Sequence, residues 1–220
     1  MSIQQLLPSL IAVAIMLLIG FPVHEYSHAL AAYRQGDRTA QYMGRLTLDP
    51  RVHFDPLGGL MLVASALLGG FFIGWAKPTP YNPSMLSGGR RGEAVVAAAG
   101  PASNLALAIL GSLCVRLILA IPALVPALAT GAGSLVLNVL VYFVLINVFL
   151  FVFNLLPIPV IGLDGWKVLL GLVSPMTAYR LRQVEMQYQQ FILIGLFALI
   201  FFGGYVITPI SNAILGILLG

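Results

Sequence analysis

The sequence predicts an all-α polytopic membrane protein of four to five transmembrane helices, and three observations carry that reading. Of its 220 residues, 60 % are hydrophobic and only 8 % charged, with a mean hydropathy of +0.99. Soluble domains carry about 25 % charged residues and about half apolar ones. Several apolar runs reach the roughly 20 residues that a helix needs to cross a hydrocarbon core. Charged side chains gather in the connections between those runs. Little is left for a separate soluble domain, so residues 1–220 read as one membrane-embedded unit. Its core spans about 6–171, and a last transmembrane helix covers about 188–219.

The apolar runs are, in order, 6–33, 57–76, 93–121, 134–157 and 188–219. Arg34, Arg38, Arg45 and Arg51 lie in the first connection, Lys77, Arg90 and Arg91 in the second, and Lys167, Arg180 and Arg182 in the connection after the fourth run. Basic residues mark the cytoplasmic side, so these three connections are expected there together. The run 57–76 sits between two of them and cannot then be a single full crossing. It is expected to re-enter, form a short hairpin or lie in the interface, with Gly58, Gly59, Gly69, Gly70 and Gly74 permitting bends. Five plain crossings are the other arrangement. Arg116, near the outer end of the third run, must snorkel or face a polar pocket.

The formal net charge of +4 is dispersed among loops, so it reads as a topology signal and not as a nucleic-acid surface. One cysteine, Cys114, excludes an intramolecular disulfide and a cysteine-based zinc site. No basic stretch precedes the first apolar run, and a cleaved signal peptide is not expected.

The first run contains His24-Glu25-Tyr26-Ser27-His28, an H-E-x-x-H pattern. On a helix, positions i and i+4 share a face, so both imidazoles can reach one zinc ion. The glutamate between them is not a ligand there and can take a proton from a water at the metal. Such a pattern arises by chance on soluble helices. Within a bilayer, each ionisable residue at the helix centre costs about 2.5–3.5 kcal/mol on the lenient insertion scale, which makes three within five residues an expensive accident.

Catalytic zinc keeps three protein ligands and an open position. Candidates for the third are His53, Asp37, Asp49 and Asp55 in the first connection, and Asp164 after the fourth run. Topology favours Asp164, because the first run enters the cytoplasm after His28 and the fourth returns to that side just before Asp164.

Asn147 and Asn154 stand seven residues apart and share a helix face. They serve either helix–helix hydrogen bonding or the substrate backbone and oxyanion. Prolines at 157 and 159 predict irregular backbone after the fourth run. A substrate strand can pair there, or along strands formed by 39–50; an ordinary interfacial loop is the plain reading of 39–50.

Together, HEYSH (24–28), GPASN (100–104) and NLLP (154–157) leading to LDG (163–165) resemble the site-2 proteases, intramembrane zinc metalloproteases that cleave transmembrane segments. GRLTLDP (44–50), DPLG (55–58) and GWAKPTPYNP (74–83) resemble the small prokaryotic type. The similarity runs from about residue 20 to 170 with the motifs in family order. It implies one Zn2+ per chain held by His24, His28 and Asp164, with Glu25 as general base. It also implies transmembrane protein substrates and an active site towards the cytoplasmic side of a multi-pass cell-membrane protein. It tilts Asn154 towards substrate or oxyanion binding, and Asn104, with Gly100, Pro101 and Pro157, towards structure near the site. One departure stands out: six residues separate Pro157 from Asp164, where the family pattern N-x-x-P-x-x-x-x-D-G has four. Two other classes fit some of these features. A metal transporter would spread its ligands along a path through the membrane, and an inactive helix-binding homologue would keep the motifs without cleavage.

Overall fold

The computed structural model describes residues 3–68, 74–159, 163–188, 191, 194 and 204–220. Among these, three helices are long and apolar enough to cross a membrane: Leu6–Arg34, Gly89–Leu119 and Gly131–Asn154. The first is compound. Helix α1 (Ile3–Ile15) passes through a π turn, Met16–Gly20, into α2 (Phe21–Arg34). Pro22 has no N–H to donate back to residue 18, and the ladder crosses that gap by a widened turn. Gly20 lies inside it, where a Cβ would strike the Met16 side chain.

The first connection is helical in short pieces. Helix α3 (Thr39–Tyr42) and helix α4 (Pro50–His53) are joined by turns. The strands considered possible over 39–50 are not formed: the described residues contain no strand. The local chemistry explains it. Asp37 Oδ1 accepts from Thr39 N and Thr39 Oγ1 at 2.9 and 2.6 Å, which draws the chain into a helical turn. Gly44 then takes φ +67°, a left-handed conformation that breaks extended backbone. Asp49 caps α4 by accepting from Arg51 N.

Helix α5 (Pro56–Leu68) covers the start of the run expected to re-enter. Its 13 residues reach about 20 Å, short of a hydrocarbon core of about 30 Å. Residues 69–73 of that run lie outside the described residues. Beyond them the chain lies back against α5: a Cβ on Gly58 would strike Trp75 backbone, and one on Gly74 would meet Leu62 Cβ and Gly58 O.

Helix α6 (Gly89–Leu119) follows and packs against α2. After the short α7 (Val125–Leu128), helix α8 (Gly131–Asn154) packs on both α6 and α1. Helix α9 (Asp164–Leu172) lies on α6, α10 (Pro175–Gln187) follows it, and α11 (Gly204–Leu219) closes on α8 and α6. Of the last apolar run, 189–190, 192–193 and 195–203 lie outside the described residues.

Two apolar clusters hold the spanning helices together. Ala12, Val13, Met16, Phe21, Leu62, Ala66, Ile146 and Leu150 join the first helix to α5 and α8. Ala108, Val144, Val148, Val152 and Ile207 join α6, α8 and α11. Lipid offers no hydrophobic drive between helices, so close fit and small residues do this work. Gly111 illustrates it, since a Cβ there would meet Val144 Cγ2 at 2.9 Å. Arg116 donates to Ile217 O and Leu218 O, both at 2.7 Å, and caps the end of α11.

Candidate metal centre

Helix α2 presents His24 and His28 one turn apart, facing α6. The α6 surface opposite them is Gly100, where a Cβ would collide with both imidazoles. The glycine is therefore a space requirement of the histidine pair. Asp164 arrives as the first residue of α9. Gly165 next to it lies so close to the chain leaving α8 that a Cβ would strike Leu155 and Leu156 backbone. Gly171 docks the far end of α9 against Ala94 and Arg90 O. Arg90 Nη1 donates to Leu170 O at 2.9 Å and Ser174 O at 3.1 Å. These contacts fix α9, and with it the Asp164 carboxylate.

The three donor atoms form a small triangle. His24 Nε2 and His28 Nε2 are 3.1 Å apart, and Asp164 Oδ2 lies 3.4 and 3.3 Å from them. All three residues are buried. Tetrahedral zinc with ligands at about 2.0–2.1 Å places those ligands about 3.3–3.4 Å from one another. The triangle matches one face of that tetrahedron, and its fourth vertex is left for water or substrate.

Hydrogen bonds on the far side of each ring orient the donors. His24 Nδ1 contacts Asn104 Oδ1 at 2.6 Å, and His28 Nδ1 contacts Val96 O at 2.7 Å. Both partners only accept, so each Nδ1 carries the proton. Each neutral ring then points its Nε2 lone pair into the triangle. Asp164 Oδ2 is buried there without a hydrogen-bond partner. Three converging lone pairs repel unless a cation lies among them, and this donor set suits zinc.

A chain of amides continues behind His24. Asn104 Nδ2 donates to Asn147 Oδ1 at 3.1 Å, and Asn147 Nδ2 donates to Phe143 O at 2.9 Å and to Met16 Sδ at 3.2 Å. Both asparagines are fully buried. Asn147, which the sequence left open between helix–helix hydrogen bonding and the substrate or oxyanion, has its amide engaged by Asn104 and Phe143 O. Asn154 ends α8 and donates to Leu150 O at 3.0 Å. Pro101 lies in α6 beside Gly100, and exposed Pro157 lies in the irregular segment after α8. His53 stands outside the triangle; its Nε2 contacts Thr47 O at 2.7 Å.

Glu25 is buried beside the histidines. Its Oε2 accepts from Thr79 N at 2.7 Å, and its main-chain O accepts from Thr79 Oγ1 at 2.9 Å. Sequence reasoning missed Thr79. The one signal available was its place in Pro78-Thr79-Pro80, where it supplies the sole main-chain N–H.

The model of Peptidase family M50 matches residues 12–131. YwhC of Bacillus subtilis (strain 168), a candidate zinc metalloprotease by its given name, is 37 % identical over 200 residues, covering 90 % of this chain and 85 % of the relative. Two proteins called Rip2, named in the same terms, also match. The one from Mycolicibacterium smegmatis is 33 % identical over 161 residues, and the one from Mycobacterium tuberculosis (strain H37Rv) is 34 % identical over 183. These alignments cover 73 % and 83 % of this chain but only 56 % and 63 % of the Rip2 proteins. No solved structure matches. With a family match over more than half its length, and with His24 and His28 of the first spanning helix meeting Asp164 of α9 in a group that could hold zinc, the chain belongs to Peptidase family M50 and is a zinc-dependent protease.

Proposed function

We propose that the chain cleaves transmembrane segments of membrane proteins as an intramembrane zinc endopeptidase, in the manner of regulated intramembrane proteolysis. The observation that carries this is the buried triangle that His24 and His28, on a membrane-length helix, form with Asp164 of α9, with Glu25 beside it. The three ligands would hold zinc. Bound there, the ion supplies Lewis acidity that lowers the pKa of a water and polarises a peptide carbonyl.

The chain's own residues do the rest. Glu25, its Oε2 engaged by Thr79, has Oε1 to take a proton from the attacking water and return it to the leaving amine. Asn104 and Asn147 hold His24 in its tautomer, and Gly100 with Pro101 keeps the α6 face clear. Asn154, at the end of α8, is placed for the substrate main chain or oxyanion. The irregular segment around Pro157 offers backbone for an unwound substrate, because an intact helix keeps its carbonyls hydrogen-bonded.

Residues 1–220 act as one multi-pass unit in the cell membrane, with the site towards the cytoplasm. The basic connections support that orientation. The short α5 and the return of 74–75 against it support a re-entrant hairpin.

The purified chain should contain about one zinc, as a single triad of donors demands, and should cut a model transmembrane peptide. Glu25→Gln should keep zinc and lose cleavage, while Asp164→Ala should lose zinc. A zinc-loaded wild-type chain that captures such peptides without cutting them would sink the proposal in favour of a helix-binding homologue.

A further inference from the structure

Arg45 is buried, and among the described residues it forms no ion pair with a carboxylate. Its guanidinium donates to three main-chain carbonyls: Nη1 to Val52 O, and Nη2 to Lys77 O and, at 3.0 Å, to Pro78 O. Burying a charge is costly unless it does something specific. Here it gathers two connections that are distant in sequence. Lys77 N adds a 2.8 Å bond to His53 O, on the same side of the clamp.

Two of the three clamped carbonyls belong to the two residues before Thr79. Pro78 and Pro80 have no N–H, so Thr79 N is the single main-chain donor of that tripeptide, and it is spent on Glu25 Oε2. Thr79 Oγ1 holds the Glu25 main-chain oxygen as well. The residue therefore grips Glu25 at both ends. Glu25 in turn is a charge of opposite sign near the buried guanidinium.

We propose that Arg45 is a positioning residue for Glu25, acting through Lys77, Pro78 and Thr79. It fixes the 77–79 main chain, Thr79 N–H then pins one carboxylate oxygen, and the other is aimed at the metal side. Truncating Arg45 frees the segment and lets the carboxylate swing, while the zinc ligands on α2 and α9 stay in place. This rests on Glu25 being the base.

The full-length chain is purified with zinc, and Arg45→Ala, Arg45→Lys, Thr79→Ala and Glu25→Gln are compared. Arg45→Ala is expected to lower kcat by about 10–100-fold, the range of displaced supporting groups, with KM and zinc content unchanged. Arg45→Lys should be intermediate, and added guanidinium should restore part of the Arg45→Ala loss. Thr79→Ala, which keeps the N–H, should lose less than Arg45→Ala. Hydrogen exchange of metal-free protein supplies a reading independent of catalysis. The Thr79 amide should be protected in the wild type and exposed in both Arg45→Ala and Glu25→Ala.

Wild-type kcat in Arg45→Ala while Glu25→Gln is dead overturns the positioning role alone. Full activity in Glu25→Gln overturns the base. If Arg45→Ala does not fold, Thr79 exchange unchanged by Glu25→Ala still overturns the proposal, since the bond on which it depends is then absent.

Discussion

His24 and Asn104 share a 2.6 Å contact between Nδ1 and Oδ1, across 80 residues of sequence. It ties the metal-facing helix to the central one and decides which imidazole nitrogen is free. Asn104→Leu should therefore lower zinc affinity by about 10–100-fold, the usual effect of losing such a partner. Competition with a chromophoric chelator measures it. Asn147→Leu, one step further back, should cost less.

Gly100→Ala tests the space left for the histidines. The added Cβ must displace His24 and His28 or push α6 away, at about 1–3 kcal/mol of overpacking. Helix content by circular dichroism should persist while bound zinc falls. Unchanged zinc with unchanged helicity would contradict the packing at this position.

Asp37 gives a pH dependence of known sign. Burial raises its pKa, but Thr39 Oγ1, Asn82 N and Thr39 N donate to it and hold it below the ordinary 3.8. A carboxyl depressed in the folded state stabilises above its unfolded pKa and loses that contribution as pH falls through the folded one. Asp37→Ala should lower stability at neutral pH by roughly 1–3 kcal/mol. The difference in Tm from wild type should shrink as pH is taken below 3.8.

Arg116→Ala removes both cap bonds at the end of α11. A loss of about 1–3 kcal/mol is expected from charged hydrogen bonds of this kind. Limited proteolysis should reach the chain terminus sooner in the variant, with zinc content untouched.

The metal triangle was legible in the sequence because helix periodicity places 24 and 28 on one face, and because ionisable groups in apolar surroundings are costly. Asp164 was reachable through topology and resemblance, and α9 brings it to the histidines despite the longer loop after Pro157. Asn147 was left open between two roles, because a buried amide on a spanning helix looks the same from sequence whether it faces substrate or a neighbour; its bond to Asn104 is of the helix–helix kind. Arg45 and Thr79 were hidden for another reason. Arg45 resembles the topology-setting arginines around it, and main-chain hydrogen bonds leave no residue signature. For 39–50 the sequence left strands and an ordinary interfacial loop both open; side-chain bonding by Asp37 and the left-handed Gly44 give short helical pieces instead.

The π turn at Met16–Gly20 sets a phase for everything after it. Each residue of an α-helix turns the chain by about 100°. Adding one residue to 16–20, a turn already widened, would therefore rotate the whole α2 face by that angle relative to the α1 face. His24 and His28 would look away from Asp164, although every ligand would still be present in the sequence. For this chain, the spacing between the start of its first helix and HEYSH is as much a part of the metal site as the motif itself.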